Sequence, residues 1–331
     1  TGRNSESIGR AILPMPDGMA GEGALALKTF ADFDSTITMA GLKAGATAEE
    51  MDQMRKDAAE VGRAFPFSAN ASAKAMHRLA ASGLNASQST ASLPGIVTAA
   101  VASGEDLGAT ADVITSAMST YKMMTGDVGA NAAKVADIIQ MAANRSKLDM
   151  AAFGTAMQYA GAPANALGVD IESLAAAMGI MANNGIEAST IGTSLRSTLS
   201  RLASPPKEAA NAIALLGLKT KDASGNFVGL DNIIGQMRTA MSGMSNTQQV
   251  ALAKAIAGED AYSGLLALIK TAPGDYKALE DAIRNASGSS KEAFDVMNQT
   301  AKGSFMSMLG SVESLAISIG GLLAPTMKQI T

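Results

Sequence analysis

Apolar residues recur along most of this chain at helical spacing. In residues 24–39 (ALALKTFADFDSTITM) they fall at Leu27, Phe30, Phe33 and Ile37, steps of 3, 3 and 4 that line one helix face. In TAEEMDQMRKDAAEVGRAF the next stripe is Met51, Met54, Ala58, Val61 and Phe65. Thr47 precedes Glu50 by three residues, the spacing at which hydroxyl and carboxylate each satisfy the other's free backbone donor at a helix start. Residues 1–23, with Pro14, Pro16 and no apolar period, predict an irregular arm.

Three segments share a plan and form a weak internal repeat: SANASAKAMHRLAASG (68–83), LDMAAFGTAMQYAG (148–161) and IESLAAAMGIMANNG (171–185). Each runs from a polar starter through an Ala-rich turn and an inward Met to a glycine placed to stop the helix, at Gly83, Gly161 and Gly185. Leu107, Ala111, Ile114, Met118 and Tyr121 mark a further helix, and Val135, Ile138, Ile139 and Met141 another. TIGTSLRSTLSRLASPP stops at Pro205 and Pro206, because proline lacks the N–H and restricts its predecessor. LKTKDASGNFV (218–228) sets Asp222, Ser224, Gly225 and Asn226 between short extended runs and predicts a small β-hairpin. Helical runs resume over about 230–244, 247–257, 261–269 and 276–285.

The last segment has the sharpest period. Phe294, Met297, Ala301, Phe305, Met308, Val312, Leu315, Ile319 and Leu322 step by 3-4-4-3-4-3-4-3, a heptad seam with one stutter. Such a seam needs a cover, and three remain open: the chain's own body, a second copy in a coiled coil, or a membrane. Residues 305–324 could cross a bilayer by length, against which stand Glu313 and four serines. The predicted fold is all-α, an Ala/Gly-rich array of short helical hairpins with one small β-hairpin near 218–228 and a long C-terminal helix bearing the seam. Its predicted organisation is an arm (1–23), a helical core (24–289) and a C-terminal coiled-coil helix (290–331).

Composition sharpens this. With no Trp, no Cys and 4% aromatic residues, packing must come from close approach of Ala-faced helices, which bury little area each. Neighbouring subunits are therefore expected to supply part of the stability. The 21 methionines read as adaptable core filler or as a soft surface for partners or lipid. A net charge of −4 argues against specific nucleic-acid binding. Without cysteine there is no disulfide or thiol chemistry, and a start at Thr1 suggests a fragment or processed product.

Candidate chemistry is thin. His77 is the single histidine, so triads and multi-histidine metal sites drop out, and its place near a helix C-terminus suits a dipole or surface role. Asp32 and Asp34 fall on different helix faces, and Glu259 with Asp260 reads as a helix start. No glycine spacing fits a phosphate loop. Arg145, Arg196 and Arg201 stand singly, as on a solvated face. No catalytic, cofactor or metal residue is predicted, and the chain is not expected to be an enzyme; the candidate site is the seam of Phe294, Met297, Phe305, Met308, Val312, Leu315, Ile319 and Leu322.

In order along the chain, AGATAEEMDQMRKDAAEVG, FSANASAKAMHRLAASGLNASQSTASLPG, DLGATADVITSAM, ALGVDIESLAAAMGIMANNGIEASTIGTSLRSTLSRLASPPKEAANAIALLGL, DASGNFVGLDNIIGQM, AIAGEDAYSGLLALI and LAISIGGLLAPTM resemble the N-terminal region of phage tail tape-measure proteins. The collinear order, the double proline after SRLAS and the SGNF turn make the combination specific. The resemblance implies a virion structural protein in the tail tube lumen or tail tip, assembled in the host cytoplasm, with a long helical tape downstream. Such a protein organises tail assembly, sets tail length and leaves at DNA ejection. Implied partners are further copies in a homo-oligomer, a trimer included, the tail tube protein, tail-tip and baseplate hub proteins, tail assembly chaperones and the host membrane. The alternative is a membrane-active protein that inserts its C-terminal helix during infection. Even 331 residues in one helix would reach only roughly 500 Å, so this region is expected to be a compact head or plug and not the ruler.

Overall fold

The computed structural model describes the backbone of residues 17–328, with the side chains of 17–23, 301–302, 305–306 and 323–328 outside the description. Most of the predicted arm thus lies outside the described residues, as does the side chain of Phe305. Sixteen helices and no strand make up the described chain, so the protein is all-α. It divides into two compact units, residues 113–293 and residues 1–112 with 294–331, so unit 1 draws on both ends of the chain.

Unit 1 is built on α1 (Asp17–Ala44), α2 (Ala48–Ala64), α3 (Ala69–Ala81) and α4 (Ala86–Ser103). Phe33, Ile37 and Ala40 of α1 and Met54, Ala58 and Val61 of α2 are buried, with Met76 and Leu79 of α3 between them. The two predicted stripes therefore face the core, the first through Phe33 and Ile37 and the second through Met54, Ala58 and Val61. Glu50 N–H donates to the Thr47 hydroxyl at 3.2 Å and Thr47 N–H to the Glu50 carboxylate at 2.9 Å, closing the predicted capping box. The C-terminal helix of unit 1, α16 (Ala301–Lys328), lies on α1 and α2.

Unit 2 contains α6 (Val128–Arg145), α7 (Met150–Ala166), α8 (Ile171–Asn183), α9 (Ala188–Ala203), α10 (Lys207–Leu215), α11 (Leu230–Met241), α12 (Asn246–Ala257), α13 (Tyr262–Lys270) and α14 (Pro273–Arg284); α5 (Leu107–Thr120) precedes them and α15 (Ser289–Asn298) follows. Helix α8 is buried from Ile171 to Ala182, packed against α6, α7, α9, α13 and α14. Small residues make this enclosure feasible. At the α7–α9 crossing a Cβ on Gly192 would come within 2.6 Å of the Ala156 carbonyl oxygen, so the two backbones nearly touch.

Ser68, Asp149 and Asp170 cap α3, α7 and α8 through the backbone N–H groups of Ala71, Ala152 and Ser173. Helix α9 ends before Pro205 and Pro206, as the sequence predicts. Gly161 differs from expectation: it lies inside α7, which continues to Ala166. An added Cβ there would sit 3.0 Å from Thr120 Cγ2 and 2.6 Å from Met157 Sδ, so this glycine serves close packing and not termination.

The predicted β-hairpin does not form either. Only one antiparallel bridge, Lys221 with Phe227, closes the 220–228 turn, where the Asp222 carboxylate accepts N–H bonds from Ser224 at 2.8 Å and Asn226 at 2.9 Å. The Gln236 side chain takes both backbone groups of Lys219, at 2.8 Å and 3.1 Å, where a strand partner would bond. An exposed two-stranded ribbon has no face to bury, so pairing stops at the bridge.

Candidate interaction surface

Helix α16 carries the seam residues from Met308 to Leu322 and is built with two unlike faces. The face on unit 1 consists of Gly303, Gly310, Ser314, Ile317 and Gly320. A Cβ on Gly310 would meet the carbonyl oxygens of Gly62 at 2.6 Å and Phe67 at 2.7 Å, and one on Gly320 would meet that of Ala26 at 2.6 Å. Only glycine permits this approach. Glu313 adds a polar fastener, its carboxylate accepting from Asn70 Nδ2 at 2.6 Å in the first turn of α3, where free backbone donors and the helix dipole favour negative charge.

The opposite face remains open. Met308, Val312, Leu315, Ile319 and Leu322 are all exposed. The first two predicted seam residues lie on a separate helix: α15 ends at Asn298, and Thr300 accepts the Gly303 N–H at 3.1 Å to start α16. The break coincides with the 4-4 step of the period. Phe294 is half-buried against Phe65, ring centroids 5.5 Å apart. Met297 borders a cavity of about 280 Å³ also lined by Phe67, Ala100, Val101, Gly104 and Gly303.

The docking face went unpredicted, although a signal existed. Gly303, Gly310 and Ile317 are spaced by sevens, a second period inside the same helix. Apolar periodicity finds side chains with area to bury and passes over residues whose contribution is to let backbones meet.

The family described as phage-related minor tail protein matches residues 55–258. This chain belongs to that family. It is also 30% identical over 334 residues to the tape measure protein of Pneumococcus phage Dp-1, an alignment covering 98% of this chain and 29% of that protein. With the probable tape measure protein of Escherichia phage P2 it shares 27% identity over 285 residues, 85% of this chain and 34% of that protein. The chain thus spans about a third of the length of the curated relatives it matches. No solved structure matches it.

Elsewhere in this tail protein, charged side chains serve architecture. Arg201, predicted to lie on a solvated face, instead donates to the carbonyls of Ile256 at 2.9 Å and Ala255 at 3.0 Å, covering the free C-terminal end of α12. Arg238 does the same for Ile269 and Leu268 of α13. Arg196 lies 5.7 Å from the Tyr159 ring centroid. Arg145 is exposed and borders a cavity of about 400 Å³ with Asn183, Thr271 and Asp275. The Asp137 carboxylate accepts the Gly288 and Ser290 N–H groups at 2.7 Å and 2.9 Å, capping α15 from α6.

The densest polar cluster is in unit 2, where Arg284 donates to Asp170, Ser173 and the buried Glu280 at 3.0, 2.7 and 2.7 Å. Burial raises the Asp170 pKa, but hydrogen bonds from Ser173 and Arg284 and the guanidinium charge outweigh it and hold the carboxyl below its ordinary value. The Tyr276 hydroxyl is buried without a hydrogen-bond partner, and burial pushes its pKa up. Among the described residues no three His, Cys, Asp or Glu side chains group as a metal site. No helix among them is long and apolar enough to cross a membrane.

Proposed function

We propose that this minor tail protein is a region of a tape measure protein, a structural and non-enzymatic component of the virion. In this reading it lies in the tail tube lumen or at the tail tip, organises tail assembly, helps set tail length and departs when DNA is ejected. The observation that carries it is the alignment of 98% of this chain with 29% of the Dp-1 tape measure protein. The geometry agrees in kind: two helical units with capped ends and charges committed to structure, plus one apolar stripe left open for a partner.

The division of labour within the tape follows from reach. Helices α1 and α16 have 28 residues each, about 42 Å at 1.5 Å per residue, and the others are shorter. Length measurement therefore belongs to the longer chain, with this region as a folded plug. Its partners are further copies, the tail tube protein, the tip and hub proteins and the assembly chaperones. The fastening of Glu313 to Asn70 and the docking of α16 along one side support a protein and not a lipid cover for the stripe.

An epitope inserted between Ala223 and Ser224, in the exposed 220–228 turn, tests the location. Antibody should fail to label intact tails of the phage that encodes the protein, and the tagged chain should be missing from tails emptied of DNA. Labelling along the outside of intact tubes, or retention of the chain in emptied tails, would refute the placement.

A further inference from the structure

Arg201, Arg238 and Arg284 of unit 2 are each bonded to the fold, whereas Arg145 is not. It stands exposed at the end of α6 and borders the cavity of about 400 Å³ together with Asp275, from the first turn of α14. Among the described residues neither side chain has an ion-pair or hydrogen-bond partner. Taken singly, each is an ordinary helix-end charge, of the sign that its helix dipole favours. Taken together, they are opposite charges that line one cavity without meeting each other.

Helix α8 adds what dipoles do not explain. It is buried from Ile171 to Ala182 and surfaces at Asn183 and Asn184, both on the same cavity. Asn183 Oδ1 accepts the Lys147 N–H at 2.9 Å, which fixes the carboxamide and leaves its Nδ2 without a protein partner. Asn184 is held the opposite way: its Nδ2 donates to the Ile180 carbonyl at 2.9 Å, so Oδ1 is the free end. One free donor and one free acceptor therefore stand next to each other. Ile180 and Leu279, both buried, supply the apolar lining. A Cβ on Gly179 would meet Ser146 Oγ at 3.0 Å and Leu279 Cδ2 at 3.3 Å, so a residue this small lets the end of α6, α8 and α14 converge there.

This set of groups selects a class of ligand. Neighbouring carboxamides that offer an N–H and a C=O match the C=O and N–H of a peptide backbone. Arg145 suits a carboxylate, Asp275 an ammonium or guanidinium, and the Ile180 and Leu279 lining an apolar side chain. The volume falls within the range of about 300–1,000 Å³ usual for ligand sites. Yet Arg145, Asn183, Asn184 and Asp275 are all exposed, so the rim is open, and a compact molecule would stay wet where an extended chain can pass across. We propose that this cavity docks a short extended segment of a partner protein, in which an apolar residue lies between an acidic and a basic one. The proposal stands apart from the tape-measure reading and adds a peptide-docking site to unit 2.

The probes are the tripeptides Glu-Leu-Lys and Lys-Leu-Glu, N-acetylated and C-amidated, titrated at millimolar concentration into the full isotope-labelled chain. One of the two orders should move the side-chain amide signals of Asn183 and Asn184 and saturate. Blocked Gln-Leu-Gln, which keeps the shape and lacks the charges, should bind at least about tenfold more weakly. Arg145→Glu breaks no bond of the fold and should leave the helical circular dichroism spectrum unchanged. It should weaken the preferred tripeptide at least about tenfold and favour blocked Lys-Leu-Lys instead. Failure of both orders to move either amide overturns the proposal. So does Gln-Leu-Gln binding as tightly as the charged probes, or an Arg145→Glu chain that keeps the original preference. These measurements use purified protein, whereas the epitope experiment uses tails, so either reading can fail alone.

Discussion

Helices α8 and α16 are both Ala-, Gly- and Met-containing and largely apolar, yet they end differently. Helix α8 is covered by five neighbours and buried from Ile171 to Ala182. Helix α16 is covered on one side, and Met308, Val312, Leu315, Ile319 and Leu322 face outward. The difference lies in where the small residues stand. In α8, Ala175, Ala176, Ala177 and Gly179 follow one another around the axis, so backbones can close in from several directions. In α16, Gly303, Gly310, Ser314 and Gly320 gather on one face, and only that face draws a neighbour from the same chain. In a chain poor in aromatic residues, glycine and alanine placement determines which surfaces meet first, and larger side chains fill the space that results.

The sharpest way to break this comparison is to truncate a leucine on each helix. Leu174→Ala should cost about 2–5 kcal/mol by urea denaturation, whereas Leu315→Ala in dilute monomer should stay within about 0.5 kcal/mol. Equal losses would erase the contrast.

Next in size is Gly310→Leu, which drives a side chain against the Gly62 and Phe67 carbonyls and should cost about 1–3 kcal/mol. Limited proteolysis should then cut α16 before any site in unit 2. If cleavage of α16 stays as slow as in the parent chain, its glycine face is not what docks it.

A similar loss, about 1–3 kcal/mol, is expected for Arg284→Ala, which leaves Glu280 buried without its cation. The same cluster gives unit 2 an acid limb. The Asp170 pKa is depressed on folding, so its contribution is fully present above the unfolded value of about 3.9 and is lost as pH falls through the lower folded value. Stability measured by denaturation should decline as pH drops below about 4, and Asp170→Asn should flatten that decline. A slope unchanged in the variant would mean that other carboxylates produce it.

A smaller loss, about 1 kcal/mol, is expected for Arg201→Ala, through loss of the bonds to the α12 carbonyls. Its signature is faster amide exchange in the last turn of α12 with little change in global stability.

Much of this was legible before any coordinates. The capping box of Thr47 and Glu50, the stop at Pro205 and Pro206, the inward Met76, Met157 and Met178 and the class of the fold follow from interactions within a few residues, which local sequence encodes directly. So does the heptad period from Met308 to Leu322, and the ordered motifs pointed to the family that the comparisons bear out. Three-dimensional proximity decided the rest. Gly161 became a contact inside α7 because Thr120 approaches it, the 220–228 turn stayed a single bridge because Gln236 took the place of a strand, and Arg201 turned from solvent to the end of α12. Which side of α16 is covered depends on the backbones of Ala26, Gly62 and Phe67 meeting its glycines, with Glu313 fastened to Asn70, 243 residues earlier in the chain. Periodicity declares that a face can be buried; a backbone that arrives from far along the chain determines which face is.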